Sequence, residues 1–203
     1  MSDKKNYDIL IVGVGGQGVL LASEVLSVMA MQAGMDVKKS EVHGMSQRGG
    51  VVSSHVKFGP KVYSPIIPYG QADILISFEE AEALRAIDWL NPDGLLVTSL
   101  TRLIPPIATS GKIKYPDDPV VEIKKKVRNV IAVDADKIAL EIGNPRLVNI
   151  LLLGVISTRL DFEVARWEEA IRTRVKAKFV ELNLKAFARG REIAETAEGI
   201  TVQ

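Results

Sequence analysis

The sequence contains no cysteine. Without thiolates this chain forms no disulfide, offers no thiolate nucleophile and ligates no iron–sulfur cluster of its own. Its two histidines are His43 and His55, too few for a zinc site built from this chain alone. Any redox chemistry in which this chain takes part therefore needs borrowed carriers, since its own side chains supply none.

The sequence also lacks an excess of charge of one sign. Lys and Arg together number 26 against 25 Asp and Glu, a net charge of +1. Such a balance gives no long-range field that attracts a polyanion, so we expect no nucleic-acid partner.

Long hydrophobic runs are missing as well. The longest, residues 150–156, is far shorter than the roughly 20 residues that a bilayer span requires. Residues 9–12 are too short for the apolar region of a signal peptide and are followed by glycines. We expect no membrane association and a cytoplasmic location.

Apolar residues make up 47% of the 203 positions, which is enough for a substantial core. Repeats, low-complexity tracts and linkers are not evident. We therefore expect residues 1–203 to form a single domain of ordinary size.

Apolar runs rich in β-branched residues alternate with stretches of helical spacing along the first two thirds. This pattern predicts strands at residues 7–12, 36–42, 51–58, 73–78, 95–99 and 129–134, a hairpin at 59–63, and helices at 19–33, 79–89 and 120–127. The last third predicts helices at 145–160, at 176–198, and between them one with Asp161 as its N-cap. The expected fold class is α/β: a Rossmann-like, doubly wound, mostly parallel sheet with a helical C-terminal third.

A glycine-rich turn separates the first strand from the first helix. Gly13, Gly15 and Gly18 have the spacing of a dinucleotide fingerprint, and a helix N-terminus there offers free N–H groups to an anion. The fingerprint also expects an acidic residue closing an apolar second strand, whereas Asp36 and Glu41 lie in a polar one. Classical NAD binding, binding of another phosphate-bearing ligand, and a purely conformational role of the glycines all stay open.

A second constellation follows the second strand, at residues 41–50 (Glu-Val-His-Gly-Met-Ser-Gln-Arg-Gly-Gly). In a doubly wound sheet, loops beyond the carboxyl ends of strands form the binding crevice, so this loop should lie beside the glycine turn. Arg48 can hold a phosphate or carboxylate with two hydrogen bonds. A solvated surface loop is the plain alternative.

We therefore predict a binding rim and name no catalytic residue. Its candidate members are Gly13, Gly15, Gly16, Gln17, Gly18, His43, Gln47, Arg48, Gly49 and Gly50. His43 has no partner in the sequence that would orient it as an acid or base, and His55 lies within a strand. Asn149, in an apolar helix, must find hydrogen bonds if it is buried.

Four segments together resemble the gamma domain of the 2-oxoacid:ferredoxin oxidoreductases. They are residues 13–18, residues 41–50, residues 64–73 with Ser-Pro-Ile and Gly-Gln-Ala-Asp, and residues 149–154 with Asn-Ile-Leu-Leu-Leu-Gly. The segment His-Gly-Met-Ser-Gln-Arg-Gly-Gly is most similar to the indolepyruvate branch, whose small subunit, called beta, consists of this domain. The resemblance spans most of the chain in the same order.

The resemblance implies an accessory subunit of an anaerobic enzyme that is inactive alone. Thiamine diphosphate and the 4Fe-4S clusters would lie on a large partner subunit, which would reduce ferredoxin. The implied reaction is oxidative decarboxylation of an aryl 2-oxoacid with coenzyme A. This domain would dock on the catalytic core and help enclose the coenzyme A or active-site cleft at the subunit interface. The residues that would do so are Gly15, Gly16, Gln17, Gly18, Gln47 and Arg48.

Other interpretations remain. The chain could serve a pyruvate, 2-oxoglutarate or branched-chain 2-oxoacid enzyme as its gamma subunit. It could instead be a free-standing nucleotide-binding oxidoreductase, or a regulatory module of Rossmann-like form. A homodimer of the isolated chain is also compatible with the sequence.

Overall fold

The computed structural model describes residues 6–44, 50–104 and 114–197. They build one six-stranded sheet in the order β2-β3-β1-β4-β5-β6. The strands are β1 (Tyr7–Val14), β2 (Asp36–His43), β3 (Val51–Gly59), β4 (Ala72–Ser77), β5 (Leu90–Ser99) and β6 (Asn129–Val133). Because β1, β4, β5 and β6 are parallel, the predicted mostly parallel α/β class is confirmed.

Helices cover both faces of the sheet. In the described residues they are α1 (Val19–Gln32), α2 (Glu80–Ala86), α3 (Pro119–Lys124), α4 (Ala135–Ile142), α5 (Val148–Ser157), α6 (Val164–Arg174) and α7 (Val180–Ala197). The predicted helical C-terminal third is confirmed. No helix in these parts of the chain is both long and apolar enough to cross a bilayer.

The apolar run of β1 is buried on both sides. Ile9 and Ile11 belong to the larger core, which α1, α5 and α7 cover, and Leu10 and Val12 belong to a smaller core on the opposite face. All four side chains are at most 4% exposed. A strand buried on both faces reads as a continuous apolar run, as β1 does.

The strand order departs from the dinucleotide-binding arrangement on one side of β1. There β3 pairs antiparallel with β1, with Val51 opposite Val14 and Phe58 opposite Tyr7. β2 pairs antiparallel with β3 and lies at the edge. The polar composition of β2 suits this edge position, because an edge strand borders solvent.

Three local predictions were wrong. Residues 61–63 form no strand, and the N–H of Val62 instead donates to Asp36 Oδ2 over 3.0 Å. Asp134 ends no strand but caps α4, a helix that the sequence prediction missed. The N-cap of α6 is Glu163, not Asp161, and its side chain makes no capping hydrogen bond.

The last third packs around α5, all of whose residues are buried. α5 crosses α7 where two glycines meet, because a Cβ on Gly154 would collide with the carbonyl of Phe187 and one on Gly190 with that of Leu151. Trp167 of α6 stacks on Phe187 at 5.7 Å between ring centroids. These contacts fix the helical layer on which α1 rests.

Candidate functional site

The glycine turn lies at the carboxyl end of β1, at the topological switch point of the sheet. The chain leaves β1 through α1 towards the β2 edge and leaves β4 through α2 towards β5. In open α/β sheets, ligands bind in the crevice at such a switch point. Gly16 and Gly18 adopt φ angles of +97° and +86°, which residues with a side chain rarely adopt.

The side chain of Gln17 spans this crevice. Its Oε1 accepts the N–H of Val14 over 2.7 Å, and its Nε2 donates to the carbonyl of Phe78 over 2.7 Å. The amide therefore joins the end of β1 to the residue that follows β4. Gln17, predicted as a ligand contact, is engaged within the fold.

Asn149 of α5 forms a hydrogen bond to the last residue of the same turn. Its Nδ2 donates to the carbonyl of Gly18 over 3.3 Å, and its Oδ1 accepts the N–H of Ile150 over 2.8 Å. The amide is 3% exposed, so the hydrogen bonds expected of a buried Asn149 are present. Any side chain at position 18 would collide with this amide.

The second predicted segment meets the turn through its last residue. The N–H of Gly15 donates to the carbonyl of Gly50 over 2.9 Å, so the expected proximity of loop and turn is confirmed at Gly50. Met45, Ser46, Gln47, Arg48 and Gly49 lie outside the described residues. The roles predicted for Gln47 and Arg48 stay predictions.

The remaining candidates differ in exposure. Gly13 is buried within β1, and a Cβ there would press on Gln17 and on Phe78. Gly15 and Gly16 are exposed. His43 ends β2 with about half its side chain exposed, and its Nε2 lies 3.9 Å from Glu41 Oε2.

The four backbone N–H groups of the turn, from Gly15 to Gly18, differ in their hydrogen bonding. The N–H groups of Gly15 and Gln17 are engaged by the carbonyls of Gly50 and Val14. Those of Gly16 and Gly18 donate to no other group among the described residues. The Gly18 N-cap at the start of α1 carries no capping side chain, so exposed donors and the positive end of a helix dipole point to the same rim.

Glu41 does not take the place of a ribose-binding carboxylate. It accepts the hydroxyl of Ser23 over 3.2 Å and pairs with Lys39 over 2.7 Å. Because β3 separates β2 from β1, neither Asp36 nor Glu41 lies on a strand next to β1. The geometry therefore disfavours the classical NAD arrangement.

A buried carboxylate that sequence analysis missed lies beside the turn. Glu79 follows β4, is 1% exposed and caps α2 by accepting the N–H of Glu82 over 2.8 Å. Its other oxygen accepts the N–H of Leu103 over 3.2 Å and the hydroxyl of Tyr115. Glu79 thereby ties both ends of the excursion between β5 and α3 to the sheet.

Glu80 and Arg102 reinforce this anchor. Arg102 Nε lies 2.8 Å from Glu80 Oε1 in an ion pair that lacks the alignment of a hydrogen bond. Arg102 also donates to the carbonyls of Pro116 and Asp117 over 3.1 and 3.0 Å and lies over the ring of Tyr115. One guanidinium thus holds the segment around Pro116 and Asp117, which leads into α3.

Burial sets the titration of these groups. Burial raises the pKa of Glu80, and Arg102 opposes the rise. Burial likewise raises the pKa of Glu82 against the effect of Arg85. The pKa of the Tyr115 hydroxyl is raised by burial and by its hydrogen bond to Glu79. Because Glu79 and Glu80 are already paired, we assign them to structure.

The sequence did carry a signal for this cluster. Glu79, Glu80 and Glu82 follow directly on the apolar strand β4, and groups that follow parallel strands gather at one edge of the sheet. Their partners Arg102 and Tyr115 lie in a proline-containing stretch with no periodicity. That part of the network could not be found from the sequence.

A separate cavity of about 370 Å³ opens at the opposite, amino edge of the sheet. Asp73 lines it, but its carboxylate accepts the N–H of Asp8 over 2.9 Å and the amide of Asn91 over 3.1 Å. These polar groups satisfy one another. The candidate site remains the glycine rim at the carboxyl edge, that is, the turn from Gly13 to Gly18 together with Gly50.

Comparison with known proteins identifies relatives of this chain. Residues 8–193 match the family described as pyruvate ferredoxin/flavodoxin oxidoreductase. The indolepyruvate oxidoreductase subunit IorB of Archaeoglobus fulgidus is 42% identical over 187 residues, which cover 90% of this chain and 92% of that protein. Its namesake from Thermococcus kodakarensis is 41% identical over 204 residues, which cover 97% of this chain and 100% of that protein.

Solved structures agree with this similarity. The gamma subunit of a keto/oxoacid ferredoxin oxidoreductase from Geobacter sulfurreducens has a TM-score of 0.71 at 25% identity, covering 94% of this chain and 99% of that one. A chain of the 2-oxoglutarate:ferredoxin oxidoreductase from Magnetococcus marinus has a TM-score of 0.74 at 19% identity, with 95% and 32% covered. The second match shows the fold alone. On the family match and the two close relatives, the chain belongs to the pyruvate ferredoxin/flavodoxin oxidoreductase family.

Proposed function

We propose that this chain is the small, non-redox subunit of an indolepyruvate-type 2-oxoacid:ferredoxin oxidoreductase. In this proposal residues 1–203 form a single gamma-type domain. The assembled enzyme oxidatively decarboxylates an aryl 2-oxoacid with coenzyme A, and oxidised ferredoxin receives the electrons. The observation that carries the proposal is the 41–42% identity, over 90% or more of both chains, to proteins named for indolepyruvate.

The donor set of this chain supports placing the redox groups on a partner. The sequence has no cysteine to ligate an iron–sulfur cluster. Among the described residues no three His, Cys, Asp or Glu side chains are arranged to hold a metal ion. Thiamine diphosphate with its metal, and the 4Fe-4S clusters, then belong to a large subunit that passes electrons to ferredoxin.

The glycine rim supports a role at the subunit interface. Gln17 fills the crevice at the switch point, so the chain does not enclose a nucleotide by itself. Gly15 and Gly16 nevertheless leave exposed backbone there, and the N–H of Gly16 has no acceptor in the part of the chain that the structure describes. An anionic group such as a phosphate of coenzyme A fits these donors, and Arg48 would add a cation from the adjoining loop.

The test is co-expression with a large subunit that carries thiamine diphosphate and cluster motifs. The two chains should copurify as a brown complex that reduces ferredoxin when indolepyruvate, coenzyme A and thiamine diphosphate are present. The small chain alone should be colourless and inactive. Failure to associate, or turnover by the lone chain, would contradict the proposal.

Substrate comparison distinguishes the branches of the family. The complex should have a higher kcat/KM for indolepyruvate and phenylpyruvate than for pyruvate, 2-oxoglutarate or branched-chain 2-oxoacids. A preference for one of the latter would keep the subunit role and reassign the branch. Micromolar binding of NAD, NADP or FAD to the isolated chain, measured by calorimetry, would instead favour a free-standing oxidoreductase.

A further inference from the structure

The edge strand β2 has hydrogen-bonding capacity that the fold leaves unused. It spans eight residues, Asp36–His43, and pairs with β3 along its full length. On its other side no strand of the described residues lies beside it. A long strand with one free edge presents a row of N–H and C=O groups to which another strand can add.

The register identifies which residues face outward. The N–H of Gly44 donates to the carbonyl of Val51 over 2.7 Å, and this pair continues the β2–β3 register beyond His43 opposite Val52. Alternate residues of an antiparallel strand direct both backbone groups to the same side. The odd-numbered residues of β2 therefore direct theirs to the free edge: Val37, Lys39, Glu41 and His43.

The charges along this edge compensate one another. Lysines on an edge strand usually oppose the addition of a further strand. Here Lys39 lies 2.7 Å from Glu41 and Lys38 lies 2.7 Å from Asp36. Val42, on the sheet face opposite α1, is 56% exposed. The edge is neutral where it could meet another strand.

We propose that a second copy of this chain adds to β2 in antiparallel fashion, with Ser40 of one copy opposite Ser40 of the other. This register places Lys39 of each copy opposite Glu41 of the other, and both residues direct their backbone groups across the edge. Two further hydrogen-bonding pairs join Val37 to His43. The contact is isologous, as in most homodimers, and the two sheets become continuous.

Charge selects this register among its neighbours. Paired residues lie on the same face of the sheet, so odd-numbered residues of one copy must stand opposite odd-numbered residues of the other. The allowed registers are therefore those whose two-fold axis passes through a single residue of β2. Centring the pairing on Lys39 places two lysines opposite each other, and centring it on Glu41 places two glutamates opposite each other. Like charges directly opposite destabilise a strand pair. Of these three registers, all of which overlap most of β2, the Ser40-centred one alone pairs opposite charges at both symmetry-related positions.

Sedimentation of the full-length isolated chain over a wide concentration range tests the proposal. The wild type should self-associate to a dimer. Glu41→Lys and Lys39→Glu should each weaken the dimer about tenfold or more, because each places like charges opposite twice. The double exchange Lys39→Glu with Glu41→Lys should recover most of the affinity, since it restores opposite charges.

A backbone variant and a control complete the test. Lys39→Pro removes a donor that points to the free edge, so the variant should keep the β2–β3 ladder, retain its circular dichroism spectrum and become monomeric. Lys185→Glu, the same charge change on the exposed side of α7, should leave the dimer unchanged. A wild type that stays monomeric at all concentrations would overturn the proposal, as would a dimer indifferent to Glu41→Lys and Lys39→Pro. Neither outcome bears on assembly with a large subunit.

Discussion

Gln17 is the residue on which the carboxyl edge most depends. A dinucleotide-binding turn leaves its crevice open for pyrophosphate, whereas here an amide joins the ends of β1 and β4 across it. The two groups it satisfies, on Val14 and Phe78, belong to buried residues. A polar residue that sequence analysis assigned to ligand binding thus stabilises the frame of the rim.

Replacing Gln17 with Leu should destabilise the fold. The change leaves the N–H of Val14 and the carbonyl of Phe78 without partners, at a cost of about 1–3 kcal/mol for each buried group. Urea unfolding followed by circular dichroism measures it. Gln32→Leu, at the exposed end of α1, is the matched control and should change the free energy of unfolding little. Equal stability of the two variants would show that the bridge contributes nothing.

Comparing substitutions at Gly16 and Gly34 distinguishes the conformational cost of a side chain at positive φ from a role of Gly16 at the subunit interface. Gly16→Ala and Gly34→Ala both introduce a side chain at positive φ, +97° and +78°, in open space. Each should cost about 1–2 kcal/mol of folding stability. Only Gly16→Ala should also lower the coenzyme A affinity or the assembly of the complete enzyme, measured by steady-state kinetics and copurification. Identical behaviour of both variants in the complex would remove Gly16 from the rim.

His55 makes the stability depend on pH. Burial, aided by Lys57, lowers the pKa of this imidazole below its ordinary value, and its neutral Nδ1 accepts the N–H of Ile67 over 3.2 Å. Its ring also meets Trp89 edge-on at 5.0 Å. The fold therefore favours the neutral form.

The sign of the effect follows from proton binding. Below about pH 6.5, the ordinary histidine pKa, His55 binds a proton in the unfolded chain but stays neutral in the folded one. The contribution of neutral His55 to folding stability is therefore complete above that pH and decreases below it. The free energy of unfolding of the wild type should fall between pH 7.5 and 5.5 more than that of His55→Asn, which can still accept the Ile67 N–H. Parallel curves for both proteins would contradict this.

At the scale of elements, the crossing of α5 and α7 is the most demanding contact. Gly154 and Gly190 bring the two backbones together so closely that a Cβ at either position meets a carbonyl of the other helix. Gly190→Ala should therefore cost about 1–3 kcal/mol or more in urea unfolding, because overpacking displaces backbone. Lys185→Ala on the exposed side of the same helix should be nearly neutral. A neutral Gly190→Ala would mean that the helices adjust freely.

Elements with a strong pattern could be predicted from the sequence, and those set by tertiary context could not. β1 and α5 are apolar throughout and lie in the core as expected. α4 was missed because Asp134 follows an apolar strand without a break, and its role as a cap depends on where β6 ends. The N-terminus of α6 was misplaced because Asp161 has the chemistry of a cap but not the position.

The candidate site was predictable in part for the same reason. The glycine spacing located the turn, and its contact with Gly50 followed from the general geometry of doubly wound sheets. The role of Gln17 depends on Phe78, a residue 61 positions away in the chain. No local pattern reports such a contact. The insertion of β3 beside β1 was likewise not visible in the sequence.

For the molecule as a whole, the proposed role is to complete an active site whose redox centre lies on a partner subunit. The core is complete around the sheet, the switch-point crevice is bridged by the chain itself, and no cysteine is available. Among the described residues, the exposed features at the carboxyl edge are Gly15 and Gly16, next to the carbonyl of Gly50. Such an edge suits a surface that completes a neighbouring centre.

The most direct measurement of this claim is ferredoxin reduction with indolepyruvate and coenzyme A by each chain alone and by the two combined. Activity is expected only for the combination with the large subunit, with a fixed stoichiometry at which the rate saturates. Full activity of the large subunit without this chain, or any ferredoxin reduction by this chain alone, would contradict it.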